Sequence, residues 1–126
     1  MAQGMKELLQ EARSRIQEIG ATDAATLMAK EPETLFLDVR ESEELAGGRI
    51  PGALHIPRGL IEPKAAHGSP ARDPQLSNFD RPVIAYCASG VRSAFVADSL
   101  QVLGFTNVRS LAGGFAVWQK GGHPIE

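Results

Sequence analysis

Residues 83–93 read Val-Ile-Ala-Tyr-Cys-Ala-Ser-Gly-Val-Arg-Ser and contain the only cysteine of the chain, Cys87. The four residues before the cysteine are typical of a buried strand, and the residues after it form a short loop that can begin a helix. Ligands of a helix-covered parallel sheet lie beyond the carboxyl ends of its strands, and Cys87 is expected at one such end. This stretch therefore predicts an α/β fold and a site together.

The loop gives physical reasons for Cys87 to be reactive. A helix start presents unpaired N–H groups and the positive end of a dipole, which favour the thiolate over the thiol. Gly90 lets the loop curl so that these groups converge, and Ser89 and Ser93 add hydroxyl donors. Arg92 adds a charge that persists at neutral pH. The alternative is an inert cysteine buried at a strand end, which is a common role for a single cysteine.

The composition describes one folded domain. A length of 126 residues can bury a core, and a hydrophobic content of 43% favours folding over disorder. The net charge of −2 offers no basic field for nucleic acid. No apolar run is long enough to span a membrane, and residues 1–7 lack the apolar core of a secretory signal. A single cysteine excludes an internal disulfide and fits a reducing compartment, so we expect a cytoplasmic protein.

Short apolar strands alternate with amphipathic segments, which predicts a parallel sheet with helices on both faces. The apolar stripe of residues 5–19 is expected to pack on the chain's own sheet; a scaffold or dimer contact is the alternative. Residues 62–81, rich in Pro and Gly, are expected to form a long surface loop with one helical turn. We predict strands at 35–37, 53–56, 83–87 and 108–111, helices at 5–19, 22–30, 92–103 and after 113–114, and a serine-capped turn at 42–45.

Four separate motifs resemble those of the rhodanese sulfurtransferases and occur in the same order. The residues from Cys87 to Ser93 look like the active-site loop of that family, whereas Arg49 stands where the family usually has histidine. The resemblance covers about residues 22–126 and implies a rhodanese-like domain at 21–126, preceded by an additional helix within 1–20. The other three motifs are Leu37-Asp38-Val39-Arg40, then Gly48-Arg49-Ile50-Pro51-Gly52-Ala53 followed by His55-Ile56-Pro57, and Leu111-Ala112-Gly113-Gly114-Phe115 with Trp118.

The resemblance implies a two-step sulfur transfer. The Cys87 thiolate would take the outer sulfur of thiosulfate or a similar small anionic donor, and a thiol, cyanide or thiol-bearing protein would then accept that sulfur. The chemistry requires no metal or organic cofactor, and the three histidines lack metal-ligand spacing. Arg58 is a candidate to attract the anionic donor, whereas Asp38 and Arg40 are expected to form ion pairs that fix loops. The donor is expected to bind to the loop residues Ala88, Ser89, Gly90, Val91, Arg92 and Ser93.

Two other functions remain open at this point. Cell-cycle dual-specificity phosphatases share the rhodanese fold but place an arginine six residues after the cysteine, and a phosphatase or arsenate reductase is the nearest competitor. Here Arg92 is five residues after Cys87, so the loop is sized for one sulfur atom rather than a phosphate, and it contains no acid to protonate a leaving alcohol. The third possibility is a non-catalytic interaction module, for which loss of the cysteine is the usual sign.

Overall fold

A computed structural model describes residues 2–126 and has a five-stranded sheet in which every neighbouring pair is parallel, with the order β1-β5-β4-β2-β3. The predicted α/β class is confirmed. Short 3₁₀ turns occupy Ser42–Gly47, Arg58–Leu60 and Pro74–Leu76. The strands are β1 (Gln17–Ile19), β2 (Leu35–Asp38), β3 (Leu54–His55), β4 (Val83–Tyr86) and β5 (Val108–Leu111), and the helices are α1 (Met5–Arg15), α2 (Ala21–Lys30), α3 (Ile61–Ala65), α4 (Val91–Val102) and α5 (Gly114–Lys120).

Helices cover both faces of the sheet because its central strands are apolar on both sides. In β2, Leu35 and Leu37 pack into one core cluster with α3 and α4, while Phe36 packs into the other with α2 and α5. All residues of β2 and β4 are buried. This arrangement encloses β4 completely, so Cys87 directly follows a fully buried strand. Within residues 2–126, no helix is long and apolar enough to cross a membrane.

The predicted helix over residues 5–19 is wrong at its end. Helix α1 stops at Arg15, Ile16 is extended with φ −117° and ψ 169°, and residues 17–19 form β1 beside β5. Ile16 and Ile19 fit either periodicity: in the extended segment that leads into and forms β1, Ile16 packs against one core cluster and Ile19 joins the other. Pairing with β1 satisfies the backbone groups at the open edge of β5, which a continued helix would leave exposed.

Helix α1 packs on α4 rather than on the sheet itself. Ala12 is buried in this contact, and Arg15 forms a two-pronged ion pair with Asp98 at 2.9 and 2.7 Å. The Gln101 side chain donates a further hydrogen bond to the Arg15 carbonyl at 2.8 Å. Helix α1 therefore braces the outer side of the helix that follows the cysteine loop. The boundary between an additional segment at 1–20 and a domain at 21–126 stays a prediction, and Met1 lies outside the described residues.

The segment predicted as a surface loop, residues 62–81, is more ordered and more buried than expected. It contains the end of α3 and a second short turn, Pro74–Leu76. Leu76 is fully buried in the cluster that also contains Cys87. The prolines and glycines of residues 62–81 interrupt any periodic pattern, so the sequence indicates an exposed loop. In the structure, one or two deeply buried side chains anchor the segment.

Candidate active site

Cys87 lies directly after β4, and its sulfur is enclosed by the loop that follows. The Gly90 N–H donates to the sulfur with an N···Sγ distance of 3.1 Å, and the Ser93 N–H does so at 3.4 Å. The Ser93 hydroxyl oxygen lies 3.6 Å from the sulfur and is hydrogen-bonded to the Ser110 hydroxyl at 2.8 Å. Cys87 itself is fully buried. The loop therefore bends back so that its own backbone solvates the sulfur.

The surroundings favour the thiolate form of Cys87. Burial of the sulfur raises its pKa, but donors from Ser93, Ser89 and Gly90 outweigh that effect and hold the pKa of Cys87 below its ordinary value. The Ser93 N–H and hydroxyl are the leading donors. Arg92 is expected from the sequence to share this role, whereas in the structure the backbone N–H groups of the loop have the larger influence.

The first residues of helix α5 hold the cysteine loop in place through hydrogen bonds to its backbone carbonyls. The Phe115 N–H donates to the Cys87 carbonyl at 2.8 Å, and the Ala116 N–H donates to the Ala88 carbonyl at 3.1 Å. Gly114 has φ +60°, and a Cβ there would lie 2.5 Å from the Cys87 carbonyl oxygen. A tight turn from strand to helix would by itself favour glycine here, but the closeness of two backbones is the stronger requirement at Gly114.

Arg92 is held by a carboxylate that the sequence analysis did not single out. Its two terminal nitrogens lie 2.6 and 2.9 Å from the two carboxylate oxygens of Glu44. The hydrogen bond from Arg92 is the main reason that the pKa of Glu44 is lowered to about 2. The pKa of Arg92 is raised mainly by Glu44, with a smaller contribution from the Cys87 sulfur. The charge of Arg92 is therefore matched mainly by Glu44.

The turn that carries Glu44 is tied to the core by Arg40. As predicted, Arg40 forms an ion pair with Asp38, at 2.8 Å, and both side chains are buried. Arg40 also donates to the carbonyls of Glu44 and Gly48 at 3.3 and 2.9 Å. The N-cap of this turn is Glu41, in a reciprocal capping box with Glu44, so the predicted serine cap is wrong.

Arg58 and Arg92 share a pocket of about 450 Å³ beside α4. The Arg58 guanidinium stands 4.8 Å from the centre of the Phe95 ring, and it forms no ion pair with any residue from 2 to 126. Of the other predicted loop residues, Ser89 is exposed, whereas Ala88 and Val91 are half-buried. The structure thus brings Arg58 to the same face as the cysteine loop. The pocket is lined by Glu41, Arg58, Gly59, Ile61, Glu62, Arg92, Phe95, Val96 and Ser99.

Comparison with known proteins identifies the family. The rhodanese-like domain model matches residues 21–121. A sulfurtransferase of Allochromatium vinosum is 34% identical over 110 residues, covering 87% of this chain and 94% of the relative. The thiosulfate sulfurtransferase GlpE of Actinobacillus succinogenes is 33% identical over 99 residues, covering 79% and 81%. The chain therefore belongs to the rhodanese-like domain family, as its motifs indicated.

Solved structures agree on the fold and differ in the activity attached to it. A Rhodopseudomonas palustris protein of unknown function, described as a possible tyrosine phosphatase, matches with a TM-score of 0.94 and 34% identity, covering 100% of this chain and 96% of that one. The polysulfide-sulfur transferase homodimer of Wolinella succinogenes matches with a TM-score of 0.79 and 25% identity, covering 96% and 85%. The choice between these chemistries depends on the site itself.

We predict that Gly114→Ala lowers the free energy of unfolding by about 2 kcal/mol or more. The added methyl would meet the Cys87 carbonyl in a left-handed backbone conformation that costs other residues energy. Gly47→Ala is the matched control, because a Cβ there meets no atom within 4 Å, and its effect should stay within about 0.5 kcal/mol. Urea unfolding measures both variants. Equal effects at the two glycines would contradict the close-approach argument.

We predict that the ultraviolet absorbance of the Cys87 thiolate appears at lower pH in the wild type than in Ser93→Ala. The variant keeps the backbone N–H but loses the hydroxyl that helps to lower the pKa of Cys87. Burial raises the pKa of Tyr86, the only tyrosine, so tyrosinate should not interfere. Ser99→Ala, on the same helix without contact to the sulfur, should titrate like the wild type. An unchanged midpoint in Ser93→Ala would remove the hydroxyl from this role.

Proposed function

We propose that this protein is a sulfurtransferase that moves sulfane sulfur from thiosulfate or a related donor to a thiol or cyanide, through a persulfide on Cys87. The observation that carries the proposal is the pair of backbone N–H groups, from Gly90 and Ser93, that donate to one sulfur atom at the end of β4, with the Ser93 hydroxyl 3.6 Å from the same sulfur. Such donors stabilise negative charge on Cys87 as a thiolate and as a persulfide anion. The sulfurtransferase relatives support the same class of reaction.

The first half-reaction is a displacement at sulfur. The Cys87 thiolate attacks the outer sulfur of thiosulfate, a new S–S bond forms to Cys87, and the old S–S bond breaks. Sulfite leaves with the electron pair of the broken bond, so charge balances without an external oxidant. Because the donors on Gly90 and Ser93 are fixed in the loop before reaction, they need no reorganisation as the charge moves outward.

The second half-reaction returns the enzyme to its starting state. A thiolate or cyanide attacks the outer sulfur of the Cys87 persulfide, and the Cys87 thiolate leaves with the bonding pair. With no second cysteine in the chain, an internal disulfide cannot form, and an external nucleophile must complete the cycle. Arg58, which lines the pocket beside the loop and forms no ion pair with a residue from 2 to 126, is proposed to bind the anionic part of the donor. Arg92, which is already paired with Glu44, is proposed to add a weaker attraction.

A phosphatase is the second candidate, favoured by the Rhodopseudomonas palustris neighbour, which is described as a possible tyrosine phosphatase. Two features of this site disfavour it. The Gly90 and Ser93 N–H groups are engaged by the sulfur itself, and the arginine five residues after the cysteine pairs with Glu44. A phosphate would need such donors on its own oxygens and would have to compete with a carboxylate for Arg92.

We predict that Cys87→Ser abolishes transfer of sulfur from thiosulfate to cyanide, because the attacking sulfur is removed. Arg92→Ala should lower kcat/KM by about one to three orders of magnitude, the scale for losing a positioned electrostatic contact. Arg49→Ala is the matched control, since Arg49 pairs with Glu126 at the surface and lies outside the pocket. Thiocyanate formation measures all three variants. Full activity in Cys87→Ser would refute the mechanism, and Cys87-dependent hydrolysis of an aryl phosphate would favour the phosphatase.

A further inference from the structure

The arginine of the cysteine loop is already paired in the structure. Both terminal nitrogens of Arg92 bond the same carboxylate, that of Glu44, at 2.6 and 2.9 Å. A two-pronged pair of this kind uses the charge and two donors of the guanidinium in one geometry. An incoming anion therefore meets an ion pair in place of a free cation. Glu44 reaches this position from a turn that follows β2, far from the loop in sequence.

Glu44 is fixed in that place by several contacts. Its carboxylate accepts a hydrogen bond from the Glu41 N–H at 2.9 Å, and its carbonyl accepts one from Arg40. Arg40 in turn is buried and paired with Asp38. Swinging the carboxylate away from Arg92 would break the capping contact as well as the ion pair. These contacts therefore hold the carboxylate of Glu44 in the position where it pairs with Arg92.

The remaining charges of the pocket wall do not restore a positive field. Arg58 is the second arginine, while Glu41 and Glu62 add two carboxylates to that of Glu44. None of Arg58, Glu41 and Glu62 forms an ion pair with a residue from 2 to 126. Counting Glu44, which pairs with Arg92 beside the pocket, two positive charges stand against three negative ones. Because electrostatic energy scales with the charge of the ligand, a dianion is disfavoured about twice as strongly as a monoanion.

We propose that Glu44 determines the charge of the donor that this site uses. By neutralising Arg92, it biases the site against dianionic thiosulfate and towards sulfane-sulfur donors that carry one negative charge or none, such as organic persulfides and thiosulfonates. The proposal rests on the sulfurtransferase function proposed above and narrows its substrate class. Glu44 acts through Arg92 and through the local field, and it does not touch the reacting sulfur.

The reaction with a thiosulfonate follows the same balance as that with thiosulfate. The Cys87 thiolate attacks the terminal sulfur, the S–S bond of the thiosulfonate breaks, and a sulfinate leaves with the bonding pair. Two negative charges enter the reaction and two leave it, on the Cys87 persulfide and on the sulfinate. Thiosulfate and benzenethiosulfonate therefore differ by one unit of charge while delivering the same sulfur atom to the same nucleophile.

The test compares kcat/KM for thiosulfate and for benzenethiosulfonate, with cyanide as acceptor, in the wild type and in Glu44→Gln. Glutamine keeps an oxygen that can accept from the Glu41 N–H, so the capping contact is preserved. We expect the ratio of thiosulfate to benzenethiosulfonate activity to rise by roughly fivefold in Glu44→Gln, and the rise to shrink at high salt. Glu43→Gln is the matched control, since it removes the same charge from the same turn and Glu43 is outside the pocket.

A merely structural role for Glu44 would change kcat/KM for both donors by the same factor and would leave their ratio unchanged. An unchanged ratio, or a ratio that falls because Arg92 needs Glu44 for its orientation, would overturn the proposal. Glu62→Gln gives a second measurement if Glu44→Gln folds poorly, because Glu62 is exposed and its loss should move the ratio in the same direction by a smaller factor. Transfer from neither donor by the wild-type protein would instead refute the sulfurtransferase function itself.

Discussion

The central constraint of this structure is that the backbone after β4 must turn back onto the sulfur of Cys87. Gly90 makes this turn with φ +94°, and the N-terminus of α5 holds the loop by hydrogen bonds to the carbonyls of Cys87 and Ala88. Gly114 allows that approach because a side chain would collide with the loop. The glycines of two distant motifs thus serve one geometric purpose, which is to direct N–H groups at a buried sulfur.

A second layer of polar contacts sets the charge around that sulfur. The buried pair of Asp38 and Arg40 anchors the turn after β2, and this turn presents Glu44 to Arg92. Separating the two members of a buried pair leaves a buried charge without compensation, which is energetically costly. The pair therefore holds the Arg40 side chain in one position. Arg40 therefore acts at a distance from the reaction, by keeping the position of Glu44 constant. Arg58 is the arginine of the pocket that forms no ion pair within residues 2–126.

The sequence predicted the local features of the site and missed the long-range ones. Cys87, the helix start and Arg92 lie in one short stretch, so their proximity follows from local chain geometry. The pairing of Arg92 with Glu44 joins positions 48 residues apart, and no periodic pattern in the sequence indicates this contact. The helical pattern of residues 5–19 continues through the strand at 17–19 because isoleucines spaced by three residues fit both structures. Its assignment depends on the open edge of β5, which only the folded sheet supplies.

The most direct test of the account is the intact mass of the protein after incubation with a sulfane-sulfur donor, before and after addition of cyanide. The account predicts a gain of one sulfur atom, located on Cys87, with thiosulfate or with an organic thiosulfonate, and its complete removal by cyanide. The Cys87→Ser variant should gain nothing under the same conditions. Absence of the adduct with every donor, or an adduct that survives cyanide, would contradict a persulfide-based mechanism.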